Sequence, residues 1–171
     1  MTPPLFGITG WKNSGKTTLT ARLVAELTNR GYALSAIKHA HESFDIDQPG
    51  RDSYRLREAG ARRVIISSPK RWALMHELGN EPEMPFDHIV SAAAPCDLIL
   101  VEGFKREQFP KIEIRRDTAV SREPLAANST QVVAIASDRP REETDPLPIF
   151  NLDDVSGIAD FIVAYLRLAR P

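Results

Sequence analysis

The stretch Gly10-Trp11-Lys12-Asn13-Ser14-Gly15-Lys16-Thr17-Thr18 follows the apolar run Leu5-Phe6-Gly7-Ile8-Thr9 and opens a helical pattern that begins Leu19-Thr20-Ala21-Arg22-Leu23. Glycine, four residues, then Gly-Lys-Thr is the P-loop pattern, and a strand before it with a helix after it is the context that gives the pattern meaning. Glycines let the backbone wrap closely around phosphate oxygens, so that successive N–H groups point inward as donors. The positive end of the following helix dipole adds to the attraction. In that geometry Gly10 and the backbone of Asn13, Ser14, Gly15, Lys16, Thr17 and Thr18 hold the phosphates. Lys16 reaches the β- and γ-phosphates and the Thr17 hydroxyl holds Mg²⁺. A bare glycine-rich turn is the competing explanation, and the flanking strand and helix argue against it. The stretch therefore predicts a nucleoside-triphosphate site.

Outward from the loop, Leu19, Leu23 and Leu27 recur at four-residue spacing, which predicts a helix from about Lys16 to Arg30 stopped by Gly31. Tyr32 to Ile37 reads as the next strand, completing a βαβ unit and implying a parallel sheet with a right-handed crossover. Lys38 to Asp52 then lies at the carboxyl end of a strand, where open α/β sheets bind ligands. It carries His39, His41, Glu42, Asp45 and Asp47, and three readings stay open: a structural zinc site, a solvated loop, or a loop facing the nucleotide or its Mg²⁺. Asp52 or Ser53 is the expected cap of a short helix ending at Gly60, whose Arg51, Arg55 and Arg57 face either phosphates or solvent.

Strands are expected at Arg63–Ser67 and Arg71–His76, and a helix from Pro85 to Ala93 with Phe86, Ile89 and Val90 as its apolar face. Asp97-Leu98-Ile99-Leu100-Val101-Glu102-Gly103 places an acid after four apolar residues, the form of a strand that ends at a nucleotide's metal. Glu102 is thus the second Mg²⁺ candidate beside Thr17, against a carboxylate that merely closes the strand. Lys111-Ile112-Glu113-Ile114-Arg115 alternates charged and apolar residues, as a half-exposed strand does. The polar 117–131 segment reads as a mobile loop, and Val132–Ala136 as a buried strand leading to Ser137-Asp138-Arg139-Pro140. A carboxylate just past a late strand can accept from the N1–H and exocyclic amine of guanine, and adenine offers no such donor pair. Asp138 is therefore a candidate base reader, the alternative being a turn aspartate. Beyond a charged linker from Arg141, Pro148–Asn151 is a short strand. Asp153 or Asp154 caps a last helix striped by Val155, Ile158, Ala159, Ile162 and Leu166.

The chain has 171 residues, 42% of them hydrophobic and 26% charged, with a net charge of −1. These values suit one soluble domain spanning 1–171, without a field that would draw it to nucleic acid or an anionic membrane. No apolar run approaches the ~20 residues of a membrane span, and no signal-peptide pattern opens the chain. The single Cys96 fits a reducing cytoplasm and reads as buried rather than nucleophilic. The expected fold class is α/β: a three-layer P-loop NTPase fold with a mostly parallel twisted sheet and helices on both faces.

Taken in order, Gly10 to Thr18, Ile-Lys-His-Ala-His at 37–41, Asp-Ile-Asp-Gln-Pro-Gly-Arg-Asp-Ser at 45–53, Ala-Gly-Ala at 59–61, Asp-Leu-Ile-Leu-Val-Glu-Gly-Phe-Lys at 97–105 and Pro-Lys-Ile-Glu at 110–113 resemble the MobB family, molybdopterin-guanine dinucleotide biosynthesis protein B. The resemblance implies a GTP-binding homodimer with weak Mg²⁺-dependent GTPase activity. It would assist guanylylation of the molybdenum cofactor beside a MobA-type guanylyltransferase, with the molybdopterin cofactor as a further candidate partner. On that reading Lys16 and Glu102 carry what catalysis there is. A small-molecule kinase and a nucleotide-controlled adaptor without turnover are the alternatives. Family members often carry His-His where this chain has His41-Glu42.

Overall fold

The computed structural model describes residues 2–40, 44–121, 123–139 and 146–171. The chain forms two compact units, Met1–His39 with Phe86–Pro171, and Ala40–Pro85.

The larger unit is built on a six-stranded sheet of β1 (Leu5–Gly10), β2 (Leu34–Lys38), β5 (Leu98–Glu102), β6 (Lys111–Arg115), β7 (Val132–Ser137) and β8 (Ile149–Asn151). Their spatial order is β2-β5-β1-β6-β7-β8, and every neighbouring pair is parallel. The unit β1-α1-β2 is present as the sequence predicts, with β5 inserted between its two strands. Successive residues of β5 point to opposite faces: Leu98 and Leu100 to one, Ile99 and Val101 to the other. Helix α1 (Lys16–Asn29) covers the first face with its predicted stripe of Leu19, Leu23 and Leu27. Helix α4 (Val155–Leu166) joins it there with Ile158, Ala159 and Ile162. Burying each such leucine or isoleucine side chain stabilises by about 1.5–3 kcal/mol at most. Helix α3 (Phe86–Ala93) covers the other face, where Val90 packs with Ile99, Val101 and Phe109. Two helical layers around a parallel sheet make the three-layer α/β arrangement that the loop sequence calls for.

The smaller unit contains α2 (Asp52–Glu58) and an antiparallel pair, β3 (Arg63–Ser67) and β4 (Trp72–His76). The expected cap of α2 is corrected: Arg51 occupies the N-cap without a side-chain bond, and the Ser53 hydroxyl donates to Asp47 Oδ1 instead. Arg57 pairs with Asp45, Asp47 and Glu77, so its guanidinium is held by carboxylates of its own unit. This pairing, led by the hydrogen bond from Arg57, lowers the Asp45 carboxyl to a pKa of about 2.

Strand β6 also departs from expectation. It lies between β1 and β7, and Lys111, Ile112, Glu113 and Ile114 are all buried, so it is an interior strand rather than a half-exposed one. The charged ends find internal partners. The Lys111 ammonium donates to the carbonyls of Glu107 and Phe109 and lies 3.8 Å from the centre of the Phe109 ring. Glu113 accepts from the backbone N–H of Leu125 at 2.7 Å and of Ala126 at 3.0 Å.

Candidate functional site

The P-loop sits at the carboxyl end of β1, and its backbone follows from its residues. Gly15 adopts φ +87°, and Asn13, a residue type that tolerates the left-handed region, adopts φ +65°. Gly10 is required by close approach: a Cβ there would lie 2.6 Å from Ser14 Oγ and 2.9 Å from the Ile114 carbonyl. Ser14 is fully buried beneath the loop, its hydroxyl without a hydrogen-bond partner, so its contribution to a ligand is through the backbone. Helix α1 starts with no side-chain cap and no acidic residue in its first turn, whereas α4 is capped by Asp154, which accepts from Gly157 N. The first amides of α1 have no intrahelical acceptors. An anion would suit that end of the helix.

Three predicted residues meet there. Lys16 Nζ donates to the Trp11 carbonyl at 2.8 Å, folded back along its own loop. The Thr17 hydroxyl donates to Glu102 Oε1 at 2.9 Å, joining the start of α1 to the tip of β5. Lys38, at the tip of β2, donates from Nζ to Thr17 Oγ1 at 3.1 Å and lies 3.5 Å from Glu102 Oε1. Burial lowers the Lys16 pKa from its ordinary value; Glu102 opposes that, and Lys105 and Lys38 reinforce it. A bound polyphosphate would offset this by supplying negative charge to a site that holds three lysines around one carboxylate. A hydroxyl and a buried carboxylate, already in contact with an ammonium, are hard oxygen donors that suit Mg²⁺.

Asp138 stands just beyond β7, at the same carboxyl edge of the sheet as the loop. Arg116 links the two. Its Nε is 3.6 Å from Asp138 Oδ2, and its Nη1 lies 3.2 Å from where a Cβ on Gly15 would stand. Sequence reasoning missed Arg116, and its signal was the position directly after β6, the neighbour of β1. Described residues of the 117–131 segment are tied to the loop and to β6 at several points. Besides the two bonds to Glu113, Val120 N donates to the Lys12 carbonyl and Trp11 Nε1 to the Glu123 carbonyl at 2.7 Å. Lys105 Nζ stands 4.4 Å above the Trp11 ring.

Within Lys38–Asp52, the structure brings Lys38 to Thr17 and Glu102, and places His39 N on the Glu102 carbonyl at 2.9 Å, with the His39 ring against Phe104. Asp45 and Asp47 serve Arg57, and His41 and Glu42 lie outside the described residues. Among the described residues no group of three or more His, Cys, Asp or Glu is arranged to hold a metal ion. No helix among them is long and apolar enough to cross a membrane.

Residues 5–138 match the family model described as molybdopterin guanine dinucleotide synthesis protein B, MobB. The chain belongs to the MobB family. It is 41% identical over 166 residues to the Escherichia coli K12 molybdopterin-guanine dinucleotide biosynthesis adapter protein, covering 96% of this chain and 94% of that one. The Haemophilus influenzae protein of the same description is 39% identical over 164 residues, covering 96% and 90%. The crystal structure of Bacillus subtilis MobB superposes with a TM-score of 0.76 at 25% identity, covering 95% of this chain and 98% of that one. A MobB homologue from Bacillus stearothermophilus superposes at 0.71 with 25% identity, covering 95% and 97%. The α/β P-loop NTPase-like fold expected from the loop is the fold these family members share.

Proposed function

We propose that this chain is a GTP- and Mg²⁺-binding adapter in molybdopterin-guanine dinucleotide biosynthesis, acting beside a MobA-type guanylyltransferase with slow GTP hydrolysis of its own. The observation that carries this reading is the meeting of Thr17, Glu102 and the uncapped start of α1 at a glycine-shaped loop. The adapter role rests on the descriptions of the two relatives that match nearly the whole chain.

In this reading Gly10 and the amides of residues 13–18 hold the phosphates, and Lys16 leaves the Trp11 carbonyl to bind them. Thr17 and Glu102 would hold Mg²⁺, which, when bound, neutralises charge on the phosphate oxygens. Asp138 accepts from guanine, held toward the loop by Arg116. The described site presents no glutamine poised to orient a water, which fits slow turnover. A second copy of the chain and the pterin cofactor are the further partners proposed. In support of a homodimer, β3 and β4 pair Ile65 with Leu74 and Ser67 with Trp72 on one face, and Ile65, Leu74 and Trp72 are exposed. Light scattering on the purified protein checks the dimer's mass.

Calorimetric titration with GTP and ATP, with and without Mg²⁺, tests the nucleotide reading. Wild type is expected to prefer GTP, and Lys16→Ala to lose about a hundredfold or more in affinity by giving up a charge-assisted phosphate contact in a desolvated site. Unchanged affinity in that variant would sink the assignment, and a preference for ATP would remove Asp138 from it.

A further inference from the structure

Lys38 is a lysine whose ammonium touches the two side-chain oxygens assigned above to Mg²⁺. The β2–β5 register sets Lys38 directly opposite Glu102, so the contact is built into the sheet rather than reached by a wandering surface chain. Thr17 gives its only hydroxyl proton to Glu102 Oε1 at 2.9 Å, so its oxygen is free to accept from Lys38 Nζ at 3.1 Å. With the ammonium 3.5 Å from Glu102 Oε1, the three groups close a triangle with the cation at one corner. Glu102 is 7% exposed, so its charge is not screened as a surface carboxylate's would be.

We propose that Lys38 is a built-in cation of this site: its ammonium takes the place of the divalent metal between Thr17 and Glu102, supports nucleotide binding without Mg²⁺, and competes with Mg²⁺ for those oxygens. The proposal deepens the triphosphate reading and rests on it. An ammonium is a compact point charge on a flexible stem, and it can leave the two oxygens while remaining beside the phosphates. A single positive charge neutralises less of a triphosphate than a divalent ion, so metal binding still adds affinity. Lys38 thus tunes how strongly nucleotide binding depends on Mg²⁺, as a binding residue rather than a catalytic one.

The test is calorimetric titration of wild type, Lys38→Met and Lys38→Arg with GTP, in excess EDTA and across a Mg²⁺ series. Met keeps the length of the stem and removes the charge, and an exposed position tolerates it. In EDTA, Lys38→Met is expected to bind GTP about tenfold or more weaker than wild type, the loss of one charge-assisted contact. At saturating Mg²⁺ the two differ by less than about threefold, and the Mg²⁺ concentration giving half of the full effect falls in the variant because its competitor is gone. Lys38→Arg restores most of the metal-free binding. An equal loss with and without Mg²⁺ would make Lys38 an ordinary phosphate ligand and overturn the proposal, as would no change in either condition. Wild type that binds GTP while Lys38→Met shows either pattern defeats only the role of Lys38. Wild type that binds no GTP at all defeats the P-loop reading and this proposal with it.

Discussion

Glu102 and Glu113 lie on the two strands that flank β1, opposite Ile8 and Thr9, and both are buried. Their partners differ in kind. Glu113 accepts from two backbone amides, those of Leu125 and Ala126, and from the guanidinium of Arg115 two residues along its own strand. Backbone donors are fixed by the fold, and no ligand displaces them. Glu102 is held instead by a hydroxyl and an ammonium, at the start of α1 and the tip of β2, both on side chains that can turn away. One carboxylate closes a loop permanently; the other is satisfied provisionally, at the edge where the phosphate loop lies. Burial is therefore common to the two acids, and the kind of partner is what differs: fixed backbone amides for one, side chains that can turn away for the other.

Removing Glu113 is the strongest test of its half of the contrast. Glu113→Ala would orphan two partly buried amides at once, a loss of about 2–4 kcal/mol in urea unfolding. A loss under about 1 kcal/mol would mean that water satisfies those amides and that Glu113 is no more structural than Glu102.

Lys111 extends the structural side of the comparison and is open to pH. Burial lowers its pKa from 10.5 to about 8, with Glu107 opposing the shift. Between about pH 8 and 10.5 the folded chain therefore holds fewer protons at this site than the unfolded chain, so the stability contribution of Lys111 rises with pH across that window. The rise is expected to be on the order of 2 kcal/mol, and it should vanish in Lys111→Met, measured as the difference between the two proteins' unfolding curves. Equal slopes would show that the lysine keeps its ordinary pKa despite its burial.

These same residues mark how far the sequence could be read. Alternation in Lys111-Ile112-Glu113-Ile114-Arg115 predicts a strand, and a strand forms, but the alternation also predicts one wet face, and both faces are dry. The partners that permit this are backbone groups of residues 107, 109, 125 and 126, which no side-chain pattern announces. The shape of the loop at 10–18 was legible because it resides in a contiguous stretch with glycines at fixed places. Glu102 was legible because an acid after four apolar residues marks the tip of a buried strand. The interior of the sheet was legible in outline: the stripes of α1 and α4 pack as their spacing implies, while the insertion of β5 between β1 and β2 depends on pairings far apart in the chain. Lys38 and Arg116 were not singled out, because each matters through a contact with a residue on another element: Thr17 and Glu102 for the first, Gly15 and Asp138 for the second.

The functional half of the comparison is tested by a substitution expected to do little to the fold. Glu102→Gln keeps an oxygen for the Thr17 hydroxyl and removes a buried charge whose ammonium partner is more than half exposed. Removing a carboxylate held for ligand binding rather than for folding leaves stability within about 1 kcal/mol of wild type, and the change can be favourable. The same variant should lose the gain in GTP affinity that Mg²⁺ brings, because a neutral amide oxygen is a poorer ligand for a hard divalent cation than a carboxylate. Urea unfolding and GTP titration on one preparation read the two effects together. Loss of more than about 2 kcal/mol of stability, comparable to that expected for Glu113→Ala, would place both acids in the same structural class. Retention of the Mg²⁺ effect would leave Thr17 without the partner proposed for it, and the contrast between the two glutamates would rest on packing alone.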